Sequence, residues 1–283
     1  MTDLELKKLK LFSAEIRLET LKLVRWRGYG HLGGALSIVE LLSVLYKKEL
    51  RHDPKNPQMA GRDYLVLSKG HAGPSLYCTL ALRGYFPHDM LYTMNEGGTS
   101  LPSHPDRLRT PGIDATTGSL GQGTSVAAGM GYGLRQSGSD SRVFLIVGDG
   151  ELNEGQCWEA FQFLAHHKLN NVIVFIDENK RQLDGYTTEI LTPFSISEKM
   201  RAFGFHTQYV KGNDEQAIFE AIEAAKSVKD SAVCIVLDTI KGQGVPFFEE
   251  LRENHAVKCN DTVNAAMDAA ISELEQFVKE GRE

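Results

Sequence analysis

The sequence predicts an α/β fold, in which a doubly wound, mostly parallel sheet carries helices on both faces. Short and almost continuously apolar segments alternate with amphipathic segments through the second half of the chain. This pattern is typical of parallel strands that are buried beneath helices. The chain has 283 residues, of which 42% are hydrophobic and 24% charged, the composition of an ordinary globular protein. Because no repeat, low-complexity tract or linker interrupts it, we expect a single domain over residues 1–283.

The first part of the chain is predicted to be helical. Apolar residues recur every three to four positions from Leu4 to Arg25, as they do along one face of an amphipathic helix. A second helix is expected up to Lys48, because Ser37 and Glu40 have the spacing of a capping box.

The glycines between these two helices match a known pattern in the wrong context. Gly28 to Gly33 read GxGxxG, the fingerprint of dinucleotide-binding folds, but that fingerprint requires a preceding strand and the preceding segment is helical. We therefore interpret the glycines as an irregular turn that presents His31.

The remaining elements follow the alternation of strands and helices. Strands are expected at 64–67, 142–147, 171–176, 205–210 and 232–237, and helices at 73–83, 125–136, 154–167, 215–227 and, as a C-terminal amphipathic helix, 260–283. Residues 95–122 are rich in Gly, Pro, Ser and Thr and too long for a simple connection. Long irregular loops within compact domains are usually functional, so this segment is a candidate part of a site.

Charge and apolar pattern exclude several classes of partner. The chain carries 31 basic and 37 acidic residues, a net charge of −6, which offers no basic field to nucleic acid or to an anionic membrane. No apolar stretch approaches the roughly 18 residues needed to span a bilayer, and the first ten residues do not resemble a signal peptide. We therefore expect a cytoplasmic protein. The four cysteines are scattered, so we expect buried free thiols rather than a zinc site or disulfides.

Two polar residues follow neighbouring predicted strands. Asp149 lies in a Gly-Asp-Gly sequence at the end of one strand, and Asn179 follows the next strand along the chain. The carboxyl ends of parallel strands meet at one edge of a sheet, where ligands bind in open α/β folds. Carboxylate and amide oxygens suit Mg²⁺ or Ca²⁺, and a helix N-terminus beside them suits an anion such as a phosphate. Either residue alone reads as a cap or turn, but the pair indicates a metal site.

The histidines divide into two groups. His166 and His167 are adjacent on a predicted helix and are expected to be inert. His31, His71, His104 and His255 lie in irregular segments flanked by glycine, proline or polar residues, and they are candidates to meet at the sheet edge. Histidine has an ordinary pKa of about 6.5, so such a cluster is expected to donate and accept protons near neutrality.

The motifs in their order resemble one protein family. GHLGG, SKGHAG, LPSHPD, TTGSLGQG, GDGELNEG, ENKRQLDG and TIKGQGVPF, followed by His255, are similar to the thiamine diphosphate-binding half of transketolases. The resemblance runs from about Gly30 to His255 and implies a thiamine diphosphate-binding fold. It also implies thiamine diphosphate and Mg²⁺ (or Ca²⁺) as cofactors.

The resemblance assigns functions to individual residues. It implies metal ligation by the side chains of Asp149 and Asn179 and the backbone carbonyl of Arg181. It implies contacts with the diphosphate by His71, Gly150 and His255, and contacts near the cofactor's rings by Gly118, Ser119, Leu120 and Leu183, with Asn179 also part of the cofactor site. It implies that His31, His104 and His255 meet sugar hydroxyls and move protons, and that Glu154 is a buried glutamate linking active sites across a dimer interface.

The resemblance also implies a missing part. A full-length transketolase continues into a second α/β domain that holds the cofactor's aminopyrimidine ring, and then into a third, whereas this sequence has only a loop and one predicted helix after Asp238. We therefore expect the N-terminal subunit of a split transketolase, inactive without a separately encoded C-terminal partner and assembled as a heterotetramer. It would transfer a two-carbon ketol unit from a ketose phosphate to an aldose phosphate, as in the pentose phosphate pathway.

Three alternatives remain open at this point. A specialised two-subunit ketol transferase for an unusual sugar phosphate fits nearly as well. Another thiamine-dependent enzyme, such as a deoxyxylulose phosphate synthase or a dehydrogenase component, would share the metal motif. A non-catalytic subunit that retains the cofactor-binding fold is the third.

Overall fold

A parallel sheet of five strands forms the centre of the protein, in a computed structural model that describes residues 1–282. The strands are β1 (Tyr29–His31), β2 (Tyr64–Leu67), β3 (Val143–Gly148), β4 (Val172–Glu178), β5 (His206–Lys211), β6 (Val233–Asp238) and β7 (Ala256–Lys258). The strand order of the sheet is β2-β3-β4-β6-β5, and a separate antiparallel pair joins β1 to β7.

Helices cover both faces of the sheet, as predicted. They are α1 (Asp3–Arg27), α2 (Gly33–Leu36), α3 (Val39–Val44), α4 (Gly73–Arg83), α5 (Gln122–Gln136), α6 (Gly155–His166), α7 (Thr187–Ile190), α8 (Ile196–Ala202), α9 (Glu215–Ser227), α10 (Pro246–Glu250) and α11 (Asp261–Arg282). A π-helical turn spans Leu45–Glu49, and 3-10 turns span Gly70–Ala72, His88–Thr93 and Gly150–Asn153. The helices predicted near α1, α4, α5, α6, α9 and α11 are therefore confirmed.

The two faces of the sheet bury separate apolar clusters. Phe144 and Ile146 of β3 pack with α1, α3, α4 and α9, whereas the intervening Leu145 packs with α5, α6 and α8 on the other side. Successive side chains of a strand point to opposite faces, so a strand buried on both sides has to be apolar throughout. This explains the continuous apolar runs in the sequence and confirms the doubly wound α/β prediction.

The capping box predicted at Ser37 and Glu40 is wrong. The helix here begins at Val39 and has no side-chain cap. The Ser37 hydroxyl contacts Asp177 Oδ2 at 2.7 Å instead, and Glu40 forms a buried ion pair with Arg17 at 2.6 Å. Both polar side chains are buried, so partners from distant segments replace the local cap.

The irregular turn predicted around His31 is also wrong in part. Tyr29–His31 forms β1, which pairs with β7 so that His31 lies opposite Ala256. A Cβ at Gly33 would lie 2.6 Å from the backbone oxygen of Asn254, so this position requires glycine. This pairing brings the loop that contains His255 next to His31. The two strands have three residues each and lie far apart in sequence, so the sequence pattern did not predict their contact.

The C-terminal helix packs on its own chain. α11 lies against α1, and Val263, Met267 and Val278 are buried. Glu283, the last residue of the predicted helix, lies outside the described residues. In residues 1–282, no helix combines the length and the apolar character needed to cross a bilayer. Three of the four cysteines are buried free thiols as predicted, and Cys259 is half-buried.

A buried ion pair connects the sheet to the loops at its carboxyl edge. Lys69, just after β2, places its ammonium 2.6 Å from Asp177 Oδ2 in β4, and the two side chains are 1% and 0% exposed. Burial alone would raise the pKa of Asp177, but the charge of Lys69 and hydrogen bonds from Lys69, Thr239 and Asn179 hold this pKa below its ordinary value. The carboxylate is therefore charged, with donors from several segments.

We expect Asp177→Ala to reduce the free energy of unfolding by about 3–5 kcal/mol, since it leaves the Lys69 ammonium buried without its partner. Urea unfolding of the isolated chain measures this change. Asp140→Ala is the matched control: Asp140 is 84% exposed and pairs with Arg51 at the surface, so its loss should cost less than about 1 kcal/mol. Equal effects of the two substitutions would contradict the structural importance of the buried pair.

Candidate active site

A cavity of about 320 Å³ opens at the carboxyl ends of the central strands. It collects nearly all of the residues singled out in the sequence. Those that line it are His31, His71, His104, Gly118, Leu120, Asp149, Gly150, Glu154, Asn179, Arg181, Leu183 and His255. Ser119 is exposed and does not line the cavity.

One corner of the cavity lies at the ends of β3 and β4 and holds Asp149 and Asn179, and we call it the metal corner because the sequence predicts a metal site there. Asp149 follows β3, and its Oδ2 accepts a 2.6 Å hydrogen bond from the backbone N–H of Lys180, the residue after Asn179. Asn179 donates its Nδ2 to Asp177 Oδ2 at 2.7 Å, which fixes the orientation of the amide and directs Oδ1 away from Asp177. The two predicted side chains therefore lie in one corner.

The oxygen donors in this corner fit a hard divalent cation. Burial, and next the charge of Asp177, raises the pKa of Asp149 to about 7. A bound cation would favour the ionised carboxylate and so offset this shift. One carboxylate, one amide oxygen and the backbone carbonyl of Arg181 are ligands of the kind that Mg²⁺ and Ca²⁺ prefer. Residues 1–282 contain no group of three or more His, Cys, Asp or Glu side chains arranged to hold a metal ion.

Four imidazoles form a cluster above this corner. The ring centroid of His31 lies 5.4 Å from that of His104 and 5.3 Å from that of His255, and the rings of His71 and His255 are 4.6 Å apart. Each histidine comes from a different segment: β1, the turn after β2, the long loop, and the loop before β7. The expectation that they gather at one edge of the sheet is confirmed.

The structure holds the pKa of all four histidines below its ordinary value in the chain by itself, and most strongly for His71 and His255. Burial lowers the pKa of His31, His71 and His104, and burial together with the charge of Lys241 lowers the pKa of His255 to about 3. At pH 7 the rings are neutral, so each offers one N–H donor and one nitrogen acceptor.

Two buried lysines were missed in the sequence. Lys69 and Lys241 line the cavity and are 0% and 2% exposed. Burial, followed by the charge of Lys69, lowers the pKa of Lys241 to about 8. Each lysine precedes a glycine within a motif, SKGHAG for Lys69 and TIKGQG for Lys241. This position within the motifs is the sequence feature from which the two lysines could have been predicted as site residues.

Lys241 also determines which ring nitrogen of His255 carries the proton. The Lys241 ammonium lies 3.0 Å from His255 Nδ1 and contacts the backbone oxygens of Arg181 and Gln182 at 3.3 and 3.2 Å. An ammonium only donates hydrogen bonds, so Nδ1 is the acceptor and the neutral ring carries its proton on Nε2. His255 is therefore a hydrogen-bond donor through Nε2.

Two predicted residues lie at the open mouth of the cavity. Leu183 is 65% exposed, and Glu154, which was expected to be buried, is exposed in the single chain. His166 is exposed and His167 packs against the rings of Tyr132 and Phe163, both outside the cavity, as expected for residues without a catalytic function.

The arrangement suits a metal-bound anion held at the edge of the sheet. The ammonium groups of Lys69 and Lys241 supply positive potential, and the oxygen donors of Asp149, Asn179 and the Arg181 carbonyl fit a cation. The neutral histidines face the rest of the cavity, where they can donate hydrogen bonds to hydroxyl groups and accept them from hydroxyl groups.

Comparisons with known proteins agree with this geometry. Residues 9–271 match the family described as transketolase, thiamine diphosphate binding domain. The chain is 47% identical over 261 residues to a 6-deoxy-6-sulfo-D-fructose transketolase subunit of Clostridium sp. (strain MSTE9), covering 92% of this chain and 94% of that one. It is 39% identical over 240 residues to an apulose-4-phosphate transketolase subunit of Actinobacillus succinogenes, covering 84% and 87%.

Solved structures give the same result. A transketolase of Pichia stipitis, solved with fructose 6-phosphate, superposes with a TM-score of 0.83 at 28% identity, covering 98% of this chain and 45% of that one. Transketolase of Campylobacter jejuni superposes with a TM-score of 0.84 at 26% identity, covering 100% and 48%. The chain thus spans about half the length of these solved relatives. From the match over residues 9–271 and the identity to the curated relatives, the chain belongs to the transketolase family, in which it corresponds to the thiamine diphosphate-binding domain.

Proposed function

We propose that this chain is the thiamine diphosphate-binding subunit of a two-subunit transketolase. It would transfer a two-carbon ketol unit from a ketose phosphate to an aldose phosphate, in the cytoplasm. The convergence of Asp149, Asn179 and the Arg181 carbonyl with two buried lysines and four neutral histidines on one cavity carries this proposal. The subunit-length relatives support it.

The metal corner and the lysines would hold the cofactor's diphosphate. Asp149, Asn179 and the Arg181 carbonyl would bind Mg²⁺ (or Ca²⁺) beside the diphosphate. His71 and Nε2–H of His255 would donate to the diphosphate, with the charges of Lys69 and Lys241 nearby. The backbone at Gly150, whose N–H donates to Asp149 Oδ1 at 2.8 Å in the chain by itself, would contact the same group. Gly118, Ser119, Leu120 and Leu183 would lie near its rings. When bound, thiamine diphosphate supplies a carbon nucleophile that protein side chains lack.

The remaining histidines would handle the sugar. His31 and His104 line the same cavity and are neutral, so they can accept a proton from a sugar hydroxyl or donate a hydrogen bond to its oxygen. The ring of His255 lies 5.3 Å from that of His31, and its Nδ1 lies 3.0 Å from Lys241, so His255 would contact both the cofactor and the substrate.

The open mouth supports a requirement for a second polypeptide. The chain matches 94% of the Clostridium subunit but 45% of the Pichia transketolase, so a partner would supply the remaining domains. Such a partner, in a heterotetramer, would cover Leu183 and Glu154, and Glu154 would then be the buried glutamate that links two sites.

A specialised sugar is the second candidate function. The two curated relatives are named for 6-deoxy-6-sulfo-D-fructose and for apulose 4-phosphate, two different ketoses. Their similarity to this chain favours a dedicated ketol transferase as much as a general pentose phosphate enzyme.

Reconstitution tests the proposed function directly. The chain that co-purifies with this one is identified, and ketol transfer is assayed with each chain alone and with both together. Donors are xylulose 5-phosphate, 6-deoxy-6-sulfofructose, apulose 4-phosphate and pyruvate. We expect activity only with both chains and only with a ketose donor. Activity with pyruvate would instead indicate another thiamine-dependent enzyme, and cofactor binding without any turnover would indicate a non-catalytic subunit.

Asp149→Ala should abolish Mg²⁺-dependent binding of thiamine diphosphate, because it removes the charged metal ligand. The loss of affinity should exceed the roughly 10- to 100-fold typical of losing a residue that only supports a ligand. Calorimetric titration of the reconstituted complex measures it, with Asp140→Ala as the surface control. Undiminished affinity in Asp149→Ala would refute the metal function of this residue.

His104→Ala should lower kcat by about 100-fold or more, in the range of lost general acid–base catalysis, while the cofactor Kd stays unchanged. Steady-state kinetics and calorimetry on the same preparation separate the two effects. His166→Ala, a substitution of an exposed histidine outside the cavity, is the control. Normal sugar kinetics in His104→Ala would remove this residue from the site.

A further inference from the structure

A buried glutamate beside the metal corner has no function in the proposed mechanism. Glu151 lies in the 3-10 turn after β3 and is 2% exposed. Its Oε1 accepts hydrogen bonds from the Ser68 hydroxyl and from the backbone N–H of Gly121 at 2.9 Å. Its Oε2 accepts one from the backbone N–H of Gly148 at 3.1 Å.

The three donors belong to three segments that build the cavity. Ser68 precedes Lys69 and His71, and Gly148 precedes Asp149. Gly121 ends the segment that contains Gly118 and Leu120, and it has a φ of +82°. One carboxylate thus connects the diphosphate side of the cavity with the segment expected near the cofactor's rings.

Close packing strengthens this connection. A Cβ at Gly123 would lie 2.5 Å from the Ser68 hydroxyl oxygen, so the start of α5 sits directly on Ser68. Thr117, at the other end of the segment, donates its hydroxyl to the backbone oxygen of Leu67 at 2.7 Å. The segment from Thr117 to Gly123 is therefore held to the end of β2 at both ends, with Glu151 beneath it.

The site requires an acceptor at both oxygens. Two of the donors are backbone N–H groups that cannot change their direction, and each points to a different oxygen of Glu151. A glutamine has one oxygen and one NH₂ group, so in either orientation one of these N–H groups would face another donor.

We propose that Glu151 is a positioning residue that locks the segment containing Gly118 and Leu120 against the segment containing Lys69 and His71. The lock fixes the distance between the part of the cavity that receives the cofactor's rings and the part that receives its diphosphate. This inference rests on the proposed function.

The test compares Glu151→Gln with Glu215→Gln. Glu215 is also buried, 4% exposed, and accepts a 2.8 Å hydrogen bond from the Ser13 hydroxyl, but it lies at the start of α9, away from the cavity. In the reconstituted complex, well below its unfolding temperature, Glu151→Gln should weaken Mg²⁺–thiamine diphosphate binding by about tenfold, as expected for a lost hydrogen bond to a charged group. Glu215→Gln should leave the Kd unchanged, and both should leave the KM for the sugar unchanged. A Kd unchanged in Glu151→Gln would overturn the proposal.

A second measurement does not depend on the cofactor. Amide hydrogen exchange of the complex without cofactor should be faster in residues 116–124 for Glu151→Gln and unchanged there for Glu215→Gln. If the unchanged complex does not bind thiamine diphosphate, the proposed function fails, while faster exchange still supports the lock. Exchange equal to that of the unchanged complex overturns the lock.

Ser68→Ala provides a variant for the case in which Glu151→Gln does not fold. It removes one donor and leaves both backbone donors paired with the carboxylate. We expect a smaller increase in exchange over the same residues. No increase would contradict the proposal.

Discussion

The rest of the site depends on the ion pair and the hydrogen bonds of one buried carboxylate, that of Asp177. It lies near the end of the central strand β4 and receives hydrogen bonds from Lys69, Ser37, Asn179 and Thr239, side chains of four segments that are separate in sequence. Removing a charge from water is costly unless it is paired and fully hydrogen-bonded, and here both conditions are met. The consequence is geometric: the same carboxylate that pairs with Lys69 also orients the amide of Asn179. The metal corner and the side of the cavity that contains Lys69 are therefore both held by the Asp177 carboxylate.

The pKa values of Asp149 and Lys241 are shifted in opposite directions, and these shifts indicate which kind of ligand fits the cavity. Burial raises the pKa of Asp149 to about 7 and lowers the pKa of Lys241 to about 8. The neutral form of each group is favoured more than usual, because neighbouring residues of the chain do not fully compensate the charge of the buried group. A divalent cation would compensate Asp149, and a diphosphate would compensate Lys241. A metal–diphosphate pair therefore offsets both penalties at once, whereas either ion alone leaves one of them in place.

Prediction from sequence succeeded where the signal is local and periodic. The helix at 215–227 was predicted to the residue, and Asp149 and Asn179 were placed together because parallel strands end at one edge of a sheet. Prediction failed where the contacts or the pKa of a residue depend on partners that are distant in sequence. Ser37 and Glu40 have the spacing of a cap but bond to Asp177 and Arg17. The histidine pKa values depend on burial and on Lys241, which only the fold brings next to His255. The β1–β7 pair and the contacts of Glu151 with Ser68 and Gly121 join segments far apart in sequence, so no local pattern predicts them.

The contacts of the lysine and arginine side chains in the cavity indicate which end of a sugar substrate this chain would contact. Among the described residues that line the cavity, the lysines and arginines are Lys69, Lys241 and Arg181. Lys69 pairs with Asp177, Lys241 binds His255, and the Arg181 guanidinium donates to the Leu251 backbone oxygen and the Tyr186 hydroxyl. Within residues 1–282, no guanidinium that lines the cavity is free to read a phosphate or a sulfonate at the far end of a sugar, whereas the histidines that would meet its reacting end are all here. On the proposed function, this chain would carry the chemistry common to ketol transfer, and its partner would recognise the anionic end.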